Sequence, residues 1–179
     1  CKINKSSGQP MRLLRVLFLI LVGLTLASCA DKSKFKTYNG PTVTAIQVHK
    51  AERKMYLLHN SEVLEEYNIH LGGNPIGKKH FEGDGKTPEG VYYISHRNPN
   101  STYHLSLGIS YPNNEDRAYA AAAGKPTGGD IFIHGGPVTE RSKKNKKGDW
   151  TAGCIAVTDK QIEEIYSMVR PGTPIIILP

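Results

Sequence analysis

Cys154 and His134 are the two residues of this chain whose types and settings fit covalent chemistry. Cys154 follows Gly153 in Thr151-Ala152-Gly153-Cys154-Ile155-Ala156-Val157, and His134 closes the apolar run Ile131-Phe132-Ile133-His134 ahead of Gly135-Gly136. A thiol attacks as its thiolate, and free cysteine has a pKa of about 8.5, so a nucleophilic cysteine needs a base beside it. Imidazole can take that proton at neutral pH. A small, flexible run before the sulfur lets backbone N–H groups turn toward an oxygen held near it, as an oxyanion hole for acyl transfer requires. A backbone carbonyl near Gly135 is the expected third group, accepting from the other ring nitrogen and setting the tautomer. The plainer alternative is an inert buried cysteine and a histidine that only ends a strand. An unpaired thiol in an exported chain weighs against it.

Export is read from the first 29 residues. Met11-Arg12-Leu13-Leu14-Arg15 forms a basic front, Val16 to Ala27 an apolar run, and Leu26-Ala27-Ser28-Cys29 a lipoprotein-type cleavage site. The run is shorter than the roughly 20 residues that span a bilayer, and it ends in small residues as a signal segment does. Residues 1–28 are therefore expected to be removed and Cys29 to carry lipid, with residues 1–10 lying upstream of the start at Met11. Cys1 would leave with the signal, so Cys154 would be the last free thiol, in a compartment where disulfides form. Ala30, rather than aspartate, follows Cys29; in a Gram-negative cell this favours the periplasmic face of the outer membrane.

Removing residues 1–28 leaves 151 residues, enough for one domain. It also removes Lys2, Lys5, Arg12 and Arg15 and no acid, lowering the formal net charge from +7 to +3. A nucleic-acid partner has little support from so modest a charge. Residues 29–41 are polar and read as a lipidated tether, and residues 42–179 as the domain.

The elements that must position the two residues are short. Strands are expected over Thr42–His49, Lys54–Leu58, Glu62–Ile69, Val91–Ile94, His104–Ile109, Asp130–His134 and Pro174–Leu178, the second and third joined as a hairpin through His59-Asn60-Ser61. The apolar run at 130–134 is expected to be central and buried on both faces. Asn113 or Asn114 can cap a first helix with Glu115 and Asp116 in its opening turn, ending at Gly124. Thr158 and Gln161 form a capping box for a second, whose Ile162, Ile165, Tyr166 and Val169 fall on one face. Many short strands without βαβ alternation predict a mainly β domain.

Ile133-His134-Gly135 followed by Thr151-Ala152-Gly153-Cys154-Ile155-Ala156-Val157-Thr158 resembles the signature of the L,D-transpeptidase catalytic domain. Asp84-Gly85-Lys86-Thr87-Pro88-Glu89-Gly90 is similar to the family's upstream Thr-Pro-x-Gly turn, and Gly172-Thr173-Pro174-Ile175 to its closing strand. The resemblance implies a β-sandwich with one or two short helices and a cysteine acyl-enzyme formed on peptidoglycan tetrapeptide stems. The acyl group would pass to an amine, forming cross-links or attaching the acceptor. It implies Cys154 as nucleophile, His134 as base then acid, the Gly135 carbonyl as its orienter, and the Gly153 and Cys154 amides as the oxyanion hole. Gly153, Thr151 and Tyr111 are the residues expected on the substrate side. Ala152 and Ala156 depart from the family pattern, which often has His before the Gly-Cys and Arg or Asn two residues after the cysteine. Ala156-Val157-Thr158 instead resembles a hydrolytic branch, an amidase releasing protein or amino acid from the diaminopimelate residue of peptidoglycan. A non-catalytic peptidoglycan-binding lipoprotein is the third reading, disfavoured by the thiol and imidazole together.

No cofactor is implied, and a monomer is expected. His80, His104 and His134 lack the HExxH or paired Cys-x-x-Cys spacing of a metal site. Arg141, Lys143, Lys144, Lys146 and Lys147 crowd the connection between the two candidate catalytic segments. They are expected to be a solvated loop, with a lid over the cleft as the functional alternative. Asn98–His104 and Ser110–Pro112 could line a stem-peptide groove or be ordinary loops.

Overall fold

Alternating burial drives the first half of the domain into a meander. The computed structural model describes residues 33–136 and 148–179, so the signal segment, Cys29 and the basic loop at Arg141–Lys147 lie outside the described residues. The strands are β1 (Ala45–His49), β2 (Lys54–His59), β3 (Glu62–Asn68), β4 (Gly90–Asn98), β5 (Ser106–Ile109), β6 (Phe132–His134), β7 (Ile155–Ala156) and β8 (Pro174–Leu178). They form one sheet in the order β3-β2-β1-β8-β4-β5-β6-β7. The β2–β3 hairpin stands where the sequence places it, turning at Asn60 with φ +54°.

β4 belongs to both halves of the sheet. Its first part, Gly90–Tyr93, pairs with β8, and its second part, Ile94–Asn98, pairs with β5. A register shift between Ile94 and His96 marks the change, since an irregularity of this kind bends a strand and sharpens its twist. One hydrophobic cluster joins residues of both halves, including Val48, Met55 and Leu57 with Ile94, Leu107, Ile133 and Ile155. This mainly β architecture with two helices is the fold class read from the sequence.

Helix α1 (Asn114–Ala122) opens with an Asn113–Asp116 capping box and gives way to Gly124 at φ +63°. Helix α2 (Asp159–Met168) opens with the Thr158–Gln161 box. Its Ile162 and Ile165 are fully buried, with Val169 just beyond it; each such side chain contributes roughly 1.5–3 kcal/mol of burial free energy.

Three expectations change. β6 is not central: only the two-residue β7 lies outside it, and Phe132 is half-buried rather than enclosed. β7 is a strand the sequence did not lead us to expect, and Gly153, with φ +139°, breaks the extended backbone just before it. The strand expected from His104 begins at Ser106, because His104 itself has φ +71°. The compact unit also starts at Lys34 rather than Thr42. Lys34 Nζ donates to the Pro99 carbonyl at 2.7 Å, the Phe35 ring lies against Tyr166, and Lys36 pairs with Glu163 at 3.5 Å.

Candidate active site

His134 ends β6, held between Ser106 of β5 and Ala156 of β7. Its ring Nδ1 lies 2.7 Å from the Gly135 carbonyl. A carbonyl can only accept, so Nδ1 carries the proton and Nε2 is the basic nitrogen of the neutral ring. The side chain is only 4% exposed. Burial holds its pKa below the ordinary histidine range, outweighing the Gly135 hydrogen bond, which acts in the opposite direction. Tyr103 packs against the imidazole at 4.4 Å between centroids and Trp150 approaches it edge-on at 5.7 Å. Gly135 is required by space: a Cβ there would sit 2.7 Å from Asp159 Oδ1 and 2.8 Å from the Tyr103 carbonyl.

Cys154 immediately precedes β7. The parallel register pairs Ile133 with Ile155 and His134 with Ala156. Side chains two residues apart share a face, so Cys154 lies on the same face as His134, one diagonal step away. The sulfur donates to the Asp130 carbonyl at 3.5 Å rather than to the imidazole. Burial pushes the thiol pKa up and the Asp130 charge adds to this, while the Phe132 amide and Lys79 oppose it. The resting pair is therefore a neutral thiol and a neutral imidazole.

The turn before the sulfur is tightly built. Thr151 Oγ1 donates to the Cys154 carbonyl at 2.7 Å and accepts from the Gly153 amide at 3.1 Å. The Gly153 amide, one of the two expected at the oxyanion hole, is thus engaged within the turn at rest, and Thr151 holds the turn. Gly153 cannot be replaced cheaply, since its φ is positive and a Cβ would meet the Lys86 carbonyl at 2.6 Å. Gly153→Ala is expected to cost about 1–3 kcal/mol of stability and to displace the sulfur. Urea unfolding together with the thiol alkylation rate would check both effects, and a variant as stable and reactive as the parent would contradict this account.

The Lys86 carbonyl is held by the loop that resembles the Thr-Pro-x-Gly turn. Asp84 accepts from the amides of His80 (2.8 Å), Phe81 (3.0 Å) and Lys86 (3.0 Å) and from the buried Lys79 Nζ (2.9 Å). Burial raises the Asp84 pKa, but these donors together hold it below the ordinary carboxylate range. Asp84→Ala would strand the Lys79 ammonium. It is expected to cost about 3–5 kcal/mol, read by chemical denaturation, and a loss below 1 kcal/mol would contradict this role. Beyond the loop, Arg53 grips Asp149 at 2.7–3.1 Å, and the Asp149 carboxylate accepts from the Leu71 amide at 2.8 Å. These contacts anchor the approach to Trp150 and Thr151.

Other candidates fall elsewhere. Tyr111 is 5% exposed and donates to the Thr127 carbonyl at 3.2 Å, so it forms wall rather than a free polar contact. His80 stacks on Tyr119 and His104 bonds Glu163 at 2.9 Å. Ala156 is buried and adds no polar group. Sequence reasoning missed Trp150 and Asp130 as neighbours of the dyad, and the Asp84 hub. The chain's single tryptophan, four residues before Cys154, was the available signal for the first.

The model of the L,D-transpeptidase catalytic domain matches residues 43–177. YafK of Escherichia coli strain K12, provisionally named an L,D-transpeptidase, is 28% identical over 160 residues, covering 86% of this chain and 58% of YafK. The helical cell shape determining protein Pgp2 of Campylobacter jejuni is 25% identical with a TM-score of 0.57, over 87% of this chain and 54% of Pgp2. Bd1075 of Bdellovibrio bacteriovorus is 23% identical with a TM-score of 0.53, over 80% and 50%, and shares the fold. This chain thus spans between half and three-fifths of the length of these relatives.

Proposed function

The chain belongs to the L,D-transpeptidase catalytic-domain family, and from that premise we propose that it is a cysteine acyltransferase acting on peptidoglycan tetrapeptide stems. The observation that best supports this reading is the β6–β7 register, which sets Cys154 and His134 on one face, with Nε2 left as the basic nitrogen by the Gly135 contact. The thiol leaves the Asp130 carbonyl and gives its proton to His134 Nε2 as sulfur attacks the carbonyl carbon of the third stem residue. The oxyanion is met by the Cys154 amide. Collapse breaks the C–N bond, and the departing D-amino acid takes the proton from His134. An acceptor amine then attacks the thioester, its proton passes to Nε2, and the C–S bond breaks as the thiol is restored. Pgp2 is a cell shape determining protein, in keeping with a role in the cell wall.

Release to water is the second reading. Ala152 and the buried Ala156 leave the cleft without the His and the Arg or Asn that many family members carry there, which favours it. Incubating the protein with defined disaccharide-tetrapeptides and weighing the products tests both. Cross-linked or amine-exchanged products support transfer, tripeptides alone support hydrolysis, and unchanged substrate with no acyl-enzyme overturns both. We further place the protein in the cell envelope as a monomeric lipoprotein anchored through Cys29 at the outer membrane. Metabolic fatty-acid label entering Cys29→Ser would overturn that anchor.

The pH dependence follows from the neutral pair. The base works wherever His134 is uncharged, and its pKa is lowered. The acid limb of the acylation rate is therefore expected below about pH 6.5, the ordinary histidine value. The folded state also binds fewer protons than the unfolded chain as pH falls through that range, so His134 withdraws stability there. An acid limb centred above pH 6.5 in single-turnover acylation would contradict the buried, neutral base.

A further inference from the structure

Two lysines from the segment that leads into the domain close on the loop beside His134. Lys34 Nζ donates to the Pro99 carbonyl at 2.7 Å and to the His104 carbonyl at 3.2 Å. Those carbonyls stand near the two ends of the connection between β4 and β5, so one ammonium clips this loop shut. Lys36 Nζ donates to the Lys160 carbonyl at 3.2 Å and pairs with Glu163 of α2 at 3.5 Å. Glu163 also holds the His104 ring, Oε1 to Nε2, at 2.9 Å. Segment 34–36 therefore ties the loop to α2.

The loop needs holding because of His104. Its φ is +71°, and the Leu105 amide donates across it to the Tyr103 carbonyl at 2.9 Å. This is the pattern of a γ-turn with its central residue in the rare, strained conformation. A side-chain-bearing residue keeps such a conformation only where its surroundings over-determine it. Here Lys34 holds the His104 carbonyl and Glu163 holds the ring. The turn aims its neighbour at the site. The Tyr103 carbonyl also accepts from the Gly135 amide at 3.1 Å, and the Gly135 carbonyl accepts from His134 Nδ1 at 2.7 Å. The Tyr103 ring covers the imidazole at 4.4 Å. Displacing the turn would uncover one face of His134 and loosen the residue that sets its tautomer.

We propose that Lys34 and Lys36 are positioning residues, a strap that locks the strained turn at His104 and so keeps Tyr103 over the imidazole of His134. The strap acts through Tyr103 and Gly135 rather than on the reacting atoms, and its effect on rate rests on the acyl-transfer reading. Exposed ion pairs contribute little by themselves. Lys34, with two carbonyl partners, is therefore expected to matter more than Lys36, whose side chain is 42% exposed. The titratable groups around the imidazole are Tyr103 on its face, Cys154 beside β7 and Asp159 at the start of α2. Outside them stand His104 with Glu163 and the two strap lysines. Burial is what lowers the His134 pKa, so admitting water beside the ring is expected to raise it toward the ordinary value.

The test follows single-turnover acylation by a tetrapeptide donor across a pH series, using the full chain in detergent. A base opened to water is protonated at higher pH, so Lys34→Met is expected to slow acylation by about threefold or more near pH 5.5 and by less than about twofold near pH 8. Lys34→Arg, which keeps the donors, should follow the parent. Lys36→Met should shift the acid limb in the same direction by less, and it carries the test should Lys34→Met fail to fold. Lys160→Met is the control for charge: it removes one cation from the same corner, while the strap uses only the Lys160 backbone carbonyl. An acid limb in the strap variants that coincides with the parent's would overturn the proposal. So would an equal slowing at every pH, or a Lys160→Met shift as large as that of Lys34→Met. A second arm needs no turnover: NMR titration of the His134 imidazole in the parent and in the strap variants. A higher midpoint in Lys34→Met supports the strap, and an unchanged one overturns it. Failure of the parent to form any acyl-enzyme, seen by mass, would sink the acyl-transfer reading alone, and the imidazole titration would still decide the strap.

Discussion

Cys154→Ala is expected to abolish covalent capture of substrate and of a carbapenem, the inhibitor class implied by the family resemblance, and to cut turnover by on the order of 10⁴-fold or more. Cys154 is the free thiol among the described residues and lies on the face of β6 and β7 that carries His134, and water in the same cleft lacks its intrinsic reactivity. Cys154→Ser should be nearly as inactive, because a hydroxyl cannot yield its proton to a ring whose basicity burial has already lowered. Stability should change little, since the partly exposed thiol donates one long hydrogen bond, to the Asp130 carbonyl. Intact-mass spectrometry reads the first effect and thermal unfolding the second. Because burial also raises the thiol pKa, capture by the parent should be slow at neutral pH and accelerate toward alkaline pH, so a time course is needed. A carbapenem adduct surviving on Cys154→Ala would remove this residue from the role.

His134→Ala should produce the next largest loss, about 10²–10⁴-fold in single-turnover acylation, with substrate binding changed far less. The imidazole contributes a proton site at Nε2 rather than contact area with a distant part of the substrate. Its Nδ1 bond to the Gly135 carbonyl keeps that site basic in the neutral ring. A larger residue at 135 should mimic part of the loss, because its Cβ would press on Asp159 and the Tyr103 carbonyl and tilt the ring. His80→Ala and His104→Ala should have much smaller effects: one stacks on Tyr119 and the other pairs with Glu163. Single-turnover rates for the four variants across a pH series separate these roles. Acylation by His134→Ala as fast as the parent, with His104→Ala inactive, would move the base to His104.

Legibility in the sequence followed the range of the forces involved. The two capping boxes, the β2–β3 hairpin, the apolar face of α2 and the closing strand β8 depend on residues within a few positions of one another. Local chemistry announced each of them. The length of β7 was hidden, because it depends on one glycine's φ, at a position where the Lys86 carbonyl, from a loop 67 positions upstream, leaves no room for a Cβ.

At the candidate site, residue type and order alone pointed to Cys154, His134 and the Gly135 carbonyl, since few side chains can serve as nucleophile and base and a glycine pair marks a close approach. Tertiary structure alone decided that Thr151 occupies the Gly153 amide, that the thiol rests on Asp130, and that Asp84 and Lys79 brace the turn from behind. It also brought Lys34 onto both ends of the loop that carries Tyr103. Pairing patterns within a segment are encoded by periodicity and caps, whereas which donor reaches which acceptor across the sheet depends on register, burial and ångström-scale approach. Those quantities exist only once the strands have met.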